Sequence, residues 1–286
     1  MAFSEWLSGG RHPKTCLKNL KTGRDASVRL CGMSDKLPMS LPDVSDPISI
    51  LLEDGPLLAV NKPAGLLTLG AIPGVPTLER RVKTYLKDKY QKPGNVYLGI
   101  PHRLDRPVSG VVVFARNSKC AARLAEQFRD RVVRKVYWAI VVGNVEPATG
   151  ELVDWLQKSD DQAHVAVVDP ATAGAREARL RYRTIRTEIA HPVTGERCTQ
   201  LEIELDTGRM HQIRVQFGSR GWAILGDRQY GSTLEFEGIS ALDPRESAIA
   251  LHARRLTLKH PVRYDEVELA APLPANWNAF PLLERE

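Results

Sequence analysis

His102-Arg103-Leu104-Asp105-Arg106-Pro107-Val108-Ser109-Gly110 is the densest polar stretch of this chain, and it runs directly into Val111-Val112-Val113-Phe114-Ala115. The reading over Val108 to Ala115 is a continuous apolar strand, hence one buried on both faces. The polar residues before it form a loop delivered to the edge of the core. Asp105 stands between two arginines and is expected to stay ionised. On an open surface it would be an ordinary ion pair. Feeding into a core strand, it is held near the interior and becomes the first candidate for chemistry.

Upstream, Ile48 to Leu52 and Leu57 to Asn61 read as strands joined at the Asp54-Gly55 turn. Leu78, Val82, Tyr85 and Leu86 share one face of a helix over 77–90 that Thr77 caps. Downstream, Ser118 is expected to cap a second helix, in which Ala121, Leu124, Ala125 and Phe128 recur at helical spacing. Lys135 to Val142 is another apolar strand. Ala178, Leu180 and Tyr182 alternate with Arg179, Arg181 and Arg183, and Leu201, Ile203 and Leu205 alternate with acidic neighbours. Thr207-Gly208 ends that strand and Met210 to Phe217 reads as a short helix. Leu251 to Leu258 and Glu266 to Ala271 close the series. Strands thus run through the chain with few helices between them. That is an α+β pattern with a mostly antiparallel sheet, not a regular βαβ alternation.

Composition sets outer limits. The 286 residues, 43% hydrophobic, suffice for one large core. No apolar run approaches the ~20 residues that span a bilayer, so no membrane partner is expected. Cys16, Cys31, Cys120 and Cys198 are scattered without a C-x-x-C pair, which suits neither zinc nor a disulfide framework and fits a reducing cytoplasm. No surplus apolar helix face is visible, so a monomer is expected. Residues 1–45 lack periodicity and read as an irregular basic arm, an over-long gene start or a transit peptide. The segment 46–286 is the folded domain. The net charge of +6 is mild. It is uneven, however: Ile100 to Tyr137 holds nine basic and three acidic residues. Such clustering is the footprint expected for a polyanion, and alone it would equally describe a solvated helix face.

Two further clusters carry candidate chemistry. In Asp206-Thr207-Gly208-Arg209-Met210-His211-Gln212-Ile213-Arg214, a helix starting near Met210 puts His211 and Arg214 on one face. Arg214 could then reach inward to a buried carboxylate. In Lys135-Val136-Tyr137-Trp138-Ala139-Ile140, Tyr137 sits inside an apolar strand, where a tyrosine is more often core than catalyst.

Together these segments resemble the pseudouridine synthases of the RluA type. His102 to Asp105 with Ser109-Gly110 resembles the family's signature around its catalytic aspartate. Leu58-Ala59-Val60-Asn61-Lys62-Pro63-Ala64-Gly65, Arg134 to Gly143, Thr207 to Val215, and Leu225-Gly226-Asp227 with Tyr230-Gly231 and Leu251-His252-Ala253 resemble its other motifs in order. Val108 and Gln216 depart from the threonine and histidine usual at those places. The resemblance implies a mostly antiparallel mixed sheet with helices packed on it and a central catalytic cleft. It implies isomerisation of uridine to pseudouridine in ribosomal or transfer RNA, with no cofactor and no metal. Asp105, Tyr137 and Arg214 are the implied catalytic residues. Arg103, Arg106, Lys62, Arg209 and His211 are the implied RNA contacts, Arg103 filling the space of a flipped base. Two other readings remain at this point. One is a catalytically silent RNA-binding or ribosome-assembly factor on the same fold. The other is a hydrolase, for which Asp227 is the one second carboxylate to consider.

Overall fold

The computed structural model describes residues 48–70, 74–159, 163–236 and 247–281. The expected arm over residues 1–45 lies outside them. The described elements run β1 (Ser49–Asp54), β2 (Leu57–Lys62), α1 (Leu78–Lys89), β3 (Ser109–Ala115), α2 (Ser118–Arg129), β4 (Arg134–Val142), β5 (Thr149–Lys158), β6 (Val165–Val168), β7 (Arg176–Ala190), β8 (Arg197–Leu205), α3 (Gln212–Gly218), β9 (Leu251–Lys259) and β10 (Glu266–Ala270). The strands form one sheet ordered β1-β2-β3-β9-β4-β8-β7-β5-β6, with β10 also paired to β9. All these pairs are antiparallel except β3 with β9. The sheet is therefore mixed and mostly antiparallel, and the α+β class stands. Among the described residues no helix is long and apolar enough to cross a membrane.

The β3 strand is buried along its whole length because helices cover both its faces. Val112 and Phe114 join α1 residues Leu78, Val82 and Leu86 in one core cluster, which also takes Ile213 and Phe217 of α3. Val111, Val113 and Ala115 face the other way and pack with Cys120 and Leu124 of α2. Burying a Leu or Val side chain contributes about 1.5–3 kcal/mol, so these short helices are held by packing more than by propensity. Thr77 caps α1 by accepting the Arg80 N–H at 3.2 Å. For α2 the cap is Asn117, which accepts the Cys120 N–H at 2.9 Å, and Ser118 is the first helical residue instead.

Strands β5 and β6 carry no clear signal in the sequence. Along β5, Leu152 and Leu156 are buried, but Asp154 stands between them on the same face, held by Arg220 and Gln216. A charge on the inward face breaks the apolar alternation that marks a half-buried strand.

The register places the candidate residues. On β9, His252 pairs with Ser109 of β3 and Trp138 of β4, and Ala253 pairs with Gly110 and Tyr137. One strand thus fixes the exit of the Asp105 loop beside Tyr137. Gly110 permits this: its φ is +119°, and a Cβ there would collide with the Ala253 carbonyl.

Candidate active site

The backbone on either side of Asp105 is pinned by the segment that follows β2. Thr68 Oγ1 donates to the Leu104 carbonyl at 2.7 Å and accepts the Leu104 N–H at 3.2 Å. Gly65 N–H and Lys62 Nζ donate to the Arg106 carbonyl at 2.8 and 3.1 Å. Arg106 Nε returns a bond to the Gly65 carbonyl at 3.0 Å. His102, at the loop entrance, accepts the Val113 N–H at 3.0 Å and stacks on Phe128. Burial lowers its pKa to about 3, so it stays neutral and remains an acceptor. Asp105 is therefore presented on a rigid loop, its side chain 20% exposed.

Arg214 faces it from α3. The Nη1 atom lies 3.6 Å from Asp105 Oδ2. The rest of the guanidinium belongs to Asp227: Nε and Nη2 donate to Oδ2 and Oδ1 at 2.6 and 2.9 Å, and Nη2 also donates to Gln229 Oε1 at 3.0 Å. Burial alone would lower the arginine pKa, but the Asp227 carboxylate outweighs it and Arg214 stays charged. The turn before α3 is clipped to β7. Thr207 Oγ1 donates to Gln212 Oε1 at 2.8 Å and Gln212 Nε2 donates to the Arg179 carbonyl at 3.1 Å. His211 takes a left-handed φ of +52° just before the helix, which therefore begins at Gln212 and not near Met210. Its Nε2 lies 3.7 Å from Asp105 Oδ2.

Asp105, His211 and Arg214 line one cavity of about 480 Å³, a size that suits a single nucleotide. Tyr137 lies half-buried in its wall. Burial raises the Tyr137 pKa and the nearby Asp105 charge raises it further, so the phenol holds its proton. Arg103, Arg129, Arg131, Lys135 and Arg209 also line the cavity. Arg209 anchors to the Glu177 carbonyl through Nε at 2.9 Å. Burial lowers its pKa, with Arg131 and Arg176 adding repulsion.

Not all of the expected RNA contacts lie here. Lys62 is fully buried, and its ammonium donates to the carbonyls of Pro63, Leu66 and Arg106 at 2.9, 2.7 and 3.1 Å. It braces the Asp105 loop and is placed to meet no phosphate; desolvation brings its pKa down to about 7, partly opposed by Asp105. The basic surplus over Ile100 to Tyr137 is likewise divided. Arg116 pairs with Glu53, Arg134 with Glu204, and Arg123 bonds the Pro261 carbonyl. Arg179, Arg181 and Arg183 of β7 are matched by Glu151, Asp206 and Glu202. Arg103, Arg129, Arg131 and Lys135 of the Ile100 to Tyr137 stretch line the cavity.

Three participants take roles not assigned to them in the sequence: Asp227, considered there as a second hydrolytic carboxylate, as the clamp on Arg214, Tyr230 behind His211, and Lys135 in the cavity wall. The pairing of Asp227 with Arg214 was the findable one, since Gly226-Asp227 and Tyr230-Gly231 bracket a short turn near α3. As Asp227 is 2% exposed with both oxygens on Arg214, it is not placed to activate water. Among the described residues no three His, Cys, Asp or Glu side chains converge as a metal site requires. The arrangement offers one carboxylate backed by a guanidinium, a protonated phenol and a cationic rim. That suits an anionic, ring-bearing substrate.

Comparison with known proteins gives the family. The family described as RNA pseudouridylate synthase matches residues 56–219. An uncharacterized RNA pseudouridine synthase of Synechocystis sp. is 31% identical over 261 residues, covering 90% of this chain and 74% of that one. The dual-specificity RNA pseudouridine synthase RluA of Vibrio vulnificus is 31% identical over 222 residues, 77% of this chain and 81% of that one. Among solved structures, human RNA pseudouridylate synthase domain containing 4 superposes with a TM-score of 0.63 at 25% identity, over 82% of this chain and 95% of that one. The chain belongs to the RNA pseudouridylate synthases of the RluA type, isomerases that act on uridine in RNA.

Proposed function

We propose that this chain converts a specific uridine of a structured ribosomal or transfer RNA into pseudouridine, with Asp105 acting on the glycosidic bond. One observation carries the reading: Asp105 sits on a pinned loop, backed by Arg214, in a nucleotide-sized cavity rimmed by five cations. The target base leaves its stack at a cost of a few kcal/mol. Arg103, exposed at the cavity, is suited to fill the vacated space with its flat guanidinium. The N1–C1′ bond breaks, the uracil turns, and C5 bonds to C1′. The C5 hydrogen leaves as a proton and N1 gains one, so atoms balance without water or an external oxidant. Asp105 serves as nucleophile at C1′ or as base at C2′; a deuterium isotope effect at C2′ separates the two. Tyr137 packs on the uracil and hands a proton on as C5 loses its own.

Pseudouridine mapping in ribosomal and transfer RNA from cells with and without the gene tests this directly. Loss of pseudouridine at a defined position supports the reading and identifies the RNA. An unchanged map contradicts it and favours an RNA-binding role without catalysis.

A further inference from the structure

His211 stands between two residues that limit what its ring can do. Its Nδ1 lies 2.8 Å from the Tyr230 hydroxyl, and its Nε2 lies 3.7 Å from Asp105 Oδ2. The Tyr230 oxygen already accepts the backbone N–H of Val165 at 3.0 Å. A phenol has a single proton to give. Among the described residues, His211 Nδ1 is the acceptor that meets it. Burial raises the Tyr230 pKa to about 12, so that proton is in place. The contact is well braced: Tyr230 stacks on His164 at 5.1 Å and lies beneath the Arg214 guanidinium at 4.9 Å. A neutral imidazole that accepts at Nδ1 carries its hydrogen on Nε2. Only that tautomer turns an N–H, and not a lone pair, toward the Asp105 carboxylate.

Resting on the isomerase reading above, we infer that His211 is a positioning residue for the reaction, locked by Tyr230 as the neutral Nε2–H imidazole. With Arg214 Nη1 it faces one oxygen of Asp105, Oδ2. Both distances, 3.7 and 3.6 Å, exceed a hydrogen bond. Such contacts tighten when substrate fills a cleft. The charges around the ring are named readily. Burial is the largest influence and lowers the His211 pKa; Asp105 and Asp227 oppose it, while Arg214 and His164 add to it. A neutral ring can serve as donor only if its tautomer is set from outside, and Tyr230 does that.

Three experiments test the inference. In the intact protein with ¹⁵N-labelled histidine, NMR should show His211 protonated on Nε2 and bare on Nδ1. The opposite tautomer overturns the lock without reference to turnover. In single-turnover assays at saturating RNA, Tyr230→Phe should lose rate as pH rises through the imidazole titration, which burial holds below the ordinary histidine value. Its protonated ring still offers Nε2–H, whereas its neutral ring populates both tautomers. The wild type should show no such fall. A variant slowed by the same factor at every pH overturns the inference, since a merely structural tyrosine would act that way. His211→Gln, which keeps an N–H near the same place, should exceed His211→Ala by about tenfold, the worth of one hydrogen bond to a charged group. Equal losses contradict the donor role. No pseudouridine from the wild type would overturn the isomerase reading itself, an outcome the NMR arm keeps distinct.

Discussion

Arg214 divides its guanidinium between two carboxylates: Nε and Nη2 lie 2.6 and 2.9 Å from Asp227, while Nη1 faces Asp105 at 3.6 Å. The short bidentate pair is buried and holds the arginine still; the longer contact is the one substrate can close. Asp227→Asn leaves a buried arginine with half its partner. Breaking such a pair costs about 3–5 kcal/mol. Urea unfolding should register that loss, and single-turnover rates should fall because Nη1 is no longer aimed. A variant with wild-type stability and rate would contradict the clamp.

Lys62 supplies a pH dependence. Its folded pKa of about 7 lies below the ~10.4 of an unfolded lysine. Between those values the unfolded chain holds a proton that the folded chain lacks, so stability from this group rises with pH. It is fully present above the unfolded value and lost as pH falls through about 7. Lys62→Met removes this dependence and strands the carbonyls that the Lys62 nitrogen holds, each costing about 1–3 kcal/mol. The stability gap between wild type and Lys62→Met should therefore widen from pH 7 to pH 10. Paired denaturation curves check it; a gap independent of pH would show that the ammonium keeps its proton throughout.

The Asp105 loop was legible because its chemistry and its burial lie side by side in nine residues. The neighbourhood of Tyr137 was legible as a strand, but its approach to Asp105 depends on β9 inserting between β3 and β4, a pairing no local pattern announces. Lys62 misled for a physical reason. A lysine after a strand usually reaches water, and nothing in Asn61-Lys62-Pro63 reveals three backbone carbonyls converging on its ammonium. Arg179, Arg181 and Arg183 of β7 form a stripe that looks cationic in isolation, but Glu151 of β5, Glu202 of β8 and Asp206 just past β8 neutralise it.

Arg131, exposed beside the cavity, adopts a φ of +59° just past α2 and crowds Arg209. Positive charge gathered in this way, only partly offset by Glu177, is suited to phosphate. Arg131→Ala should weaken RNA binding and reduce the slope of log affinity against log salt by about 0.7–0.9, the contribution of one phosphate. Filter binding across a salt series measures this. An unaltered slope would remove Arg131 from the interface.

Tyr137 keeps its proton under the combined influence of burial and Asp105. It can take a proton from C5 only while passing its own onward. Tyr137→Phe preserves the ring and removes the relay, so the single-turnover rate should fall about 100-fold with RNA affinity retained. An unchanged rate would confine the residue to stacking.

The account rests above all on Asp105 exchanging the uracil bond. RNA carrying tritium at uridine C5 releases it to water when C5 bonds to the sugar. Wild-type protein should release tritium in proportion to pseudouridine formed, and Asp105→Asn, folded and still binding the RNA, should release none above background. Sustained release by Asp105→Asn would contradict the central claim.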